Sequence, residues 1–193
     1  MTGTSTVARP ERSPAASLAE AADAAGLRVL ASAAWPESAA DRVPPPIAGF
    51  IVSSFSPLVA ETARRCLGRW ADEGSAGPVT AVVVVSPLGD LAGAVHVAEA
   101  VDGGTRLGPL LFFQAVPNAV AGHVAALWRL TGPVVCVGDT RGGLDVAALL
   151  LADGDADQAL LIRVDQSHTA ADTPAAHDRA AAVLLHAPEG EPT

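Results

Sequence analysis

The sequence predicts an α/β domain with a mixed, mostly parallel sheet that is buried by helices on both faces. Three observations carry this prediction. Apolar runs such as residues 79–85 lack the apolar–polar alternation of a strand that faces water on one side. Segments with helical spacing alternate with these runs along the chain. The length of 193 residues, half of them hydrophobic, suits one domain with a sizeable core.

Composition limits the classes of function. The formal net charge is −9, and because the sequence has no lysine, 12 arginines supply all of its basic side chains. An acidic chain is disfavoured as a nucleic-acid binder, since phosphate backbones attract basic surfaces. No apolar run approaches the roughly 20 residues that a membrane helix needs. We therefore expect a cytoplasmic protein that binds neither nucleic acid nor membrane.

The two ends of the chain are predicted to lie outside the folded domain. Residues 1–17 are rich in Thr, Ser, Pro and Arg and lack the apolar segment of a signal peptide, so we expect a disordered tail. Residues 188–193 are expected to form a short flexible tail. A single domain over residues 18–187 lies between them.

The domain is predicted to begin with a short helix over residues 18–25 and a strand over residues 27–34, followed by a proline-rich loop. A longer helix then starts with Ser56 as its N-cap and Pro57 in its first turn, and ends at Gly74. Apolar residues recur at helical spacing along it.

The middle of the domain contains the strand that we expect at the centre of the sheet. It covers residues 79–85, where a valine run without alternation indicates that both faces are covered. A helix over residues 90–101 follows and ends before a Gly-Gly pair. Pro117 then opens another helix.

The last third of the domain alternates strands and helices in short steps. Residues 134–137 are predicted to form a strand, residues 143–152 a helix and residues 159–164 a second strand. A polar loop over residues 166–178 leads to a final strand over residues 180–186. Short apolar strands separated by helices are typical of a layered α/β domain.

Several short motifs occur in the order and spacing of one known family. They are Ser86-Pro87 after the valine strand, the F-x-x-x-V-P-N-A-x-A-G-H segment that starts at Phe112, the dipeptide Gly132-Pro133, the tripeptide Gly142-Gly143-Leu144 and the closing apolar strand. With these motifs, residues 27–187 resemble the N-terminal lobe of β-ketoacyl synthases. The resemblance is to short ketosynthase-like and chain-length-factor-like proteins found beside type II polyketide or aryl polyene synthases, and it implies a single thiolase-like lobe.

The resemblance also implies that a catalytic residue is missing. Catalytic members carry Ala-Cys-Ser-Ser at the turn after the strand of residues 134–137, where this sequence has Gly-Asp-Thr-Arg-Gly-Gly. Counting forward from Gly132-Pro133 puts Arg141 at the position of the cysteine, whereas counting back from Leu144 puts Thr140 there. Neither side chain is a thiol. We therefore assign no catalytic residue, no cofactor and no metal.

The second lobe of the family supplies the two His, or His and Lys, that drive decarboxylation, and this sequence ends where that lobe would begin. A Claisen condensation needs a thiolate to hold the acyl chain and donors to stabilise the enolate. We therefore expect no condensing activity from this chain alone. Half of a two-lobe sandwich is also expected to leave an apolar face that a partner covers.

The partner that the resemblance implies is a catalytic ketosynthase, and an acyl carrier protein is involved only indirectly. The sequence leaves open whether a second copy of this chain takes the place of the ketosynthase. Ketosynthases pair through the strand before the nucleophile. The expected interface residues are Val134, Val135, Cys136, Val137, Asn118 and His123.

Bulky side chains limit the length of the acyl chain in chain-length factors. The corresponding candidates for the acyl tunnel are Phe112, Phe113 and Val116. Packing of two adjacent phenylalanines in a core explains the same pattern.

A rival interpretation treats the turn as a nucleophile elbow. Gly138 to Gly142 fits a G-x-T-x-G pattern, with Thr140 as the nucleophile of an independent acyl hydrolase or acyltransferase. His168 or His177, with Asp172 or Asp178, are the available base and acid. Threonine is disfavoured because its β-branch crowds a strained elbow. A structural interpretation makes Asp139 the cap of the next helix.

The remaining polar and sulfur side chains are interpreted structurally. Cys66 and Cys136 lie in apolar segments and are expected in the core as reduced thiols. The histidines, His168, His177 and His186 among them, match no ligand spacing for a metal. Arg64, Arg65 and Arg69 share one flank of a helix, which is typical of a solvated face; a docking site for an acidic carrier protein is the alternative.

Overall fold

The computed structural model describes residues 13–70, 77–167 and 178–188. In this part of the chain, a five-stranded sheet lies between two layers of helices. The strands are β1 (Arg28–Trp35), β2 (Thr80–Val85), β3 (Val134–Val137), β4 (Gln158–Asp165) and β5 (Arg179–His186). The helices are α1 (Pro14–Ala24), α2 (Phe55–Gly68), α3 (Leu91–Asp102), α4 (Leu110–Gln114), α5 (Pro117–Trp128) and α6 (Thr140–Ala152).

The sheet is mixed and mostly parallel, as the sequence predicts. Its strand order is β1-β5-β4-β2-β3. The pairs β2–β3 and β2–β4 are parallel, whereas β5 is antiparallel to both of its neighbours. Four strands therefore run in one direction, and β5 runs against them.

Strand β2 lies inside the sheet, which confirms the prediction of a central strand. It pairs with β3 on one side and with β4 on the other, and all six of its residues are buried. The valine run has no alternation because both of its faces contact helices.

Each face of the sheet has its own hydrophobic core. Helices α2 and α5 cover one face, with Phe55, Leu58 and Leu160 among the buried side chains. Helices α1 and α6 cover the other face, where Leu18 and Leu144 lie in the core. Helices on both faces of the sheet were predicted and are confirmed.

Two glycines allow helices and loops to approach the sheet closely. A Cβ atom on Gly132 would lie 2.6 Å from backbone atoms of Thr80 and Ala81. A Cβ atom on Gly143 would lie 2.6 Å from a methyl carbon of Val85, so α6 packs directly against β2 at this point. Real Cβ atoms do not approach other atoms this closely, and both positions therefore require glycine.

The boundaries of several helices differ from the predicted ones. Helix α1 begins at Pro14, so residues 14–17 belong to a helix and not to the tail. Helix α2 begins at Phe55 after Ser54 and ends at Gly68, and the predicted end at Gly74 lies outside the described residues. Helix α6 begins at Thr140, three residues earlier than expected, because Asp139 caps it.

The segment between β2 and α5 packs loosely on the rest of the domain. Helix α3 buries only Gly93 of its 12 residues, and the short helix α4, which the sequence did not predict, buries Leu111 and Gln114. Exposed apolar side chains are concentrated here, namely Leu88, Val95, Val101, Leu110, Phe112, Phe113 and Val116. We call residues 88–116 the apolar arm.

Among the described helices, none combines the length and the hydrophobicity required to span a bilayer.

Candidate functional site

The described sheet has two edge strands, β1 and β3, and β3 is the one that precedes the turn of interest. Its four residues pair with β2 on one side, and no other described strand pairs with the opposite side. All four are half-buried, unlike the fully buried residues of β2. The predicted interface strand is therefore accessible for pairing.

Hydrogen bonds identify which β3 residues face the free edge. The Val82 N–H donates to the Pro133 carbonyl at 2.9 Å, and the Ser86 N–H donates to the Val137 carbonyl at 3.0 Å. Backbone groups of successive residues in a strand point to opposite sides. Val135 therefore faces β2 like Val137, whereas Val134 and Cys136 direct their N–H and carbonyl groups to the free edge.

The turn after β3 is a capped helix start. The Asp139 carboxylate accepts a hydrogen bond from the Gly142 N–H at 2.9 Å. Thr140 is the first helical residue, and its hydroxyl accepts a hydrogen bond from the Arg163 guanidinium at 3.3 Å. Arg141 is exposed and lies 4.0 Å from Asp145. Both candidate positions of the missing cysteine are thus at the N-terminus of α6.

The structure gives no support to a nucleophile elbow at Thr140. An elbow holds its nucleophile on a strained backbone, but Arg129 is the only described non-glycine residue with a positive φ. Asp178 accepts hydrogen bonds from Ser54 and Ser167. The predicted partners His168, Asp172 and His177 lie outside the described residues.

The two cysteines occupy different environments. Cys66 is buried in α2, and desolvation raises the pKa of its thiol to about 12. Cys136 is half-buried because its strand is at the sheet edge, and desolvation raises the pKa of its thiol to about 11. Both side chains are thiols at neutral pH, and the core interpretation is confirmed in full for Cys66 only.

The three acyl-tunnel candidates are on the apolar arm and point toward solvent. Phe112 is 74% exposed, Phe113 is 63% exposed and Val116 is 51% exposed. Buried Phe50 contacts the ring of Phe113 at a centroid distance of 6.3 Å. A neighbouring cavity of about 410 Å³ is lined by other parts of the arm, including His96. Within this chain the three residues are a surface and not a tunnel wall.

Asn118 and His123 are carried by α5, which packs against β3 and β2. Asn118 is exposed in the first turn of the helix. His123 is half-buried, and its ring meets Phe50 edge-on at a centroid distance of 5.8 Å. The fold therefore brings the helix with these two residues next to the β3 edge.

The arginines of α2 form an ion-pair network that sequence analysis missed. Arg65 contacts Asp41 and Glu61, each at 2.8 Å, and its guanidinium lies 4.5 Å from the centre of the Trp35 ring. Hydrogen bonds from the Arg65 guanidinium hold the pKa of Asp41 well below its usual range. The loop that carries Asp41 is distant in sequence, so no local pattern indicates the pairing.

The outer two arginines are paired as well. Arg64 contacts Glu61 at 2.7 Å, and Arg69 contacts Glu37 at 2.7 Å. Hydrogen bonds from Arg64, and secondarily from Arg65, lower the pKa of Glu61. Carboxylates of the same chain thus pair with all three guanidinium groups, which favours a structural role over a docking site for an acidic carrier protein.

No group of three or more His, Cys, Asp or Glu side chains in the described parts of the chain is arranged to hold a metal ion.

Comparisons with known proteins identify the fold. Neither a scan against protein-family models nor a search of curated proteins finds a match. A solved structure of the ketosynthase in complex with its chain length factor from Xenorhabdus doucetiae is similar, with a TM-score of 0.62 and 16% identity over 84% of this chain and 79% of that chain.

Two further structures with TM-scores above 0.5 belong to the same group. The ishigamide ketosynthase/chain length factor has a TM-score of 0.59 and 18% identity over 75% of this chain and 47% of that chain. A type II PKS acyl-carrier protein in complex with its ketosynthase bound to the hexaketide has a TM-score of 0.56 and 12% identity over 83% of this chain and 63% of that chain. These similarities confirm the expected fold: the chain shares the α/β fold of these ketosynthase and chain-length-factor structures.

Proposed function

We propose that this chain is a non-catalytic, chain-length-factor-like subunit that pairs with a catalytic β-ketoacyl synthase in polyketide or related chain elongation. The observation that carries the proposal is the free β3 edge, which ends at a turn without a thiol. In the proposed complex, the strand before the turn is the functional element.

The chemistry of the turn supports a role without catalysis. Acyl transfer to the protein needs a nucleophile with an accessible anionic form or an adjacent base. The Thr140 hydroxyl accepts a hydrogen bond from Arg163, which is a donor and no base. The nearest thiol in sequence, Cys136, stays protonated at neutral pH because its pKa is about 11. A condensation in the complex is therefore assigned to the partner.

The surface around β3 supports pairing with another subunit. Val134 and Cys136 offer unpaired backbone groups along the edge, and a strand from a partner would satisfy them. Helix α5, with Asn118 and His123, packs beside the strand and would extend the contact. The solved structures with the same fold include a ketosynthase in complex with its chain length factor.

The apolar arm supplies the proposed contact with the growing chain. Phe112, Phe113 and Val116 are too exposed for core residues. In a complex they would lie against the partner, where bulky aromatic rings limit the space for an acyl chain. The net charge of −9 would repel an acidic carrier protein and direct it to the partner subunit.

Co-expression tests this proposal. We would produce the chain with an affinity tag together with candidate catalytic ketosynthases of the same organism, and expect one of them to co-purify with it in equal amounts. Size-exclusion chromatography of the chain alone distinguishes a monomer from a pair of identical copies. Failure of the ketosynthase to co-purify would contradict the proposal. A stable homodimer would indicate that the partner is a second copy of this chain and not a ketosynthase.

A covalent probe tests the rival function on the same sample. An acyl-thioester or fluorophosphonate probe should leave Thr140 unlabelled in the intact protein, as judged by mass spectrometry of its peptides. Stoichiometric labelling of Thr140 would instead establish an independent hydrolase or acyltransferase.

A further inference from the structure

A cleft between α1 and α6 lies at one end of the sheet. Helix α1 packs on β1 and β5, and α6 packs on β2, β3 and β4, so the space between them is above the junction of β5 and β4. The cleft has a volume of about 310 Å³. It is lined by Ser17 on α1, Thr140 on α6, Arg163 and Asp165 on β4, and Arg179 on β5.

The charged side chains of the cleft leave one positive charge in excess. Arg163 donates to Asp165 at 2.9 Å and to the Thr140 hydroxyl at 3.3 Å. Arg179 lies opposite Asp165 in the β4–β5 register and is exposed. Within the described chain, Arg179 forms no ion pair. The cleft thus holds two guanidinium groups and one carboxylate, in a chain whose net charge is −9.

Two helix N-termini flank the cleft. Helix α6 begins at Thr140, and α1 begins at Pro14, and both residues line the cleft. The helix dipole favours an anion at such an end, but the Asp139 carboxylate offsets it at α6 and Pro14 has no N–H to donate at α1. The Asp139 carboxylate is already bonded to Gly142, whereas Ser13 makes no side-chain cap for α1.

We propose that this cleft binds a small molecule through an oxyanion, either a phosphate or a carboxylate group. Guanidinium groups with their fork of donors are suited to both anions. The volume is at the lower end of the range for small-ligand cavities, and crevices at the carboxyl ends of parallel strands are common binding positions. The site does not require the subunit pairing proposed above.

Binding to the full-length chain tests the site. We would titrate inorganic phosphate and, separately, acetate by isothermal calorimetry, with sodium chloride at equal ionic strength as the reference. We expect saturable binding of at least one of the two anions. The stronger of the two identifies the ligand as a phosphate or a carboxylate.

Charge-removing variants locate the binding. Arg179→Gln should weaken the affinity about tenfold or more, because it removes a charge-assisted hydrogen bond. Arg163→Gln should have the same effect, and circular dichroism checks that it folds. Arg106→Gln removes an exposed charge from the apolar arm and should leave the affinity within about twofold. Absence of saturable binding, or equal losses in Arg179→Gln and Arg106→Gln, would overturn the proposal.

Discussion

At the residue scale, Thr140 combines a contact that can be predicted locally with one that depends on tertiary structure. Its hydroxyl is at the start of α6, next to the cap residue Asp139, and is engaged by Arg163. The cap was interpretable from the sequence, because an Asp before a helix with a Gly at the third helical position is a local pattern. The hydrogen bond from Arg163 on β4 could not be predicted from the sequence, because it depends on how two distant segments pack together.

Gly132 provides a test of close packing at the residue scale. Gly132→Ala should destabilise the fold by about 1–3 kcal/mol or more, because the added methyl group would overlap the backbone of β2, which cannot move aside. Gly122→Ala is the matched control: α5 leaves open space there, and we expect a gain of about 0.5–1 kcal/mol. Urea unfolding measures both, and equal stabilities of the two variants would contradict the packing described for Gly132.

Thiol reactivity provides a second test. With pKa values of about 12 for Cys66 and about 11 for Cys136, alkylation by iodoacetamide at pH 8 should be roughly 200-fold slower at Cys136 and roughly 2,000-fold slower at Cys66 than at an ordinary cysteine. The rate at Cys136 should rise about tenfold per pH unit between pH 8 and 10. The same protein in urea is the control, and rapid labelling of folded Cys136 at pH 8 would contradict its environment.

The same thiols link stability to alkaline pH. Each folded pKa is raised above its unfolded value, so the neutral thiols stabilise the fold fully below about pH 8.5. This contribution is lost as the pH rises through 9 toward 11 and 12. Unfolding in urea at pH 7 and pH 10 should therefore show a lower midpoint at the higher pH, and Cys66→Ala should reduce the difference.

Asp41 links stability to acidic pH in the opposite sense. Its folded pKa is lowered by Arg65, so the carboxylate stabilises the fold above the ordinary pKa of an Asp and loses this effect as the pH falls below about 4. Asp41→Asn should lower the urea midpoint at pH 7 and lower it less at pH 3. Asp155→Asn, in an exposed loop, is the control. If Asp41→Asn lowered the urea midpoint equally at pH 7 and pH 3, the ion pair between Asp41 and Arg65 would not contribute to stability as described.

At the scale of elements, the strands were predicted more accurately than the helix ends. Strand β3 is where the sequence places it, β2 and β5 differ from their predicted bounds by one residue at one end, and β1 and β4 differ by one residue at each end. An unbroken apolar run has one physical cause, burial on both faces. Helix ends depend on tertiary context: α2 begins before Ser56 because Phe55 is buried in the core.

The apolar arm escaped prediction for a related reason. Helix α4 has five residues, too few for a periodic pattern to identify it. Helix α3 was predicted, and the structure shows Asp90 as its cap, but no sequence pattern indicated that it would bury so little. The exposure of a helix depends on which segments pack against it in the folded chain, and a single sequence does not show which segments these are.

Substitutions in the arm test its role as a contact surface. Phe112→Ser should change the free energy of unfolding by no more than about 0.5 kcal/mol, because the ring is 74% exposed. It should nevertheless weaken association with the ketosynthase in a co-purification titration. Leu149→Ser on α6, which exchanges an apolar side chain of similar exposure outside the arm, is the control. Equal association of both variants with the ketosynthase would show that the apolar arm is not part of the interface.

At the scale of the whole molecule, the sequence predicted the layered sheet and its free edge. It did not predict that α1 would cover one face, since α1 has weak amphipathic character and its start was assigned to the tail. The cleft between α1 and α6 was unpredictable for the same reason: Arg163, Arg179 and Thr140 meet only after β4, β5 and α6 have been assembled.

The central claim is that β3 pairs with a ketosynthase through the backbone groups of its free edge. Proline at an edge strand is tolerated where its missing N–H faces outward. Cys136→Pro should therefore keep the fold by circular dichroism, whereas Val135→Pro would break the internal ladder with β2 and destabilise it. Cys136→Ala keeps the backbone donor and serves as the control.

Co-purification of these variants with the ketosynthase is the most direct measurement. We expect Cys136→Ala to co-purify like the wild-type chain and folded Cys136→Pro to lose the ketosynthase. Undiminished co-purification of folded Cys136→Pro would contradict pairing through the β3 edge.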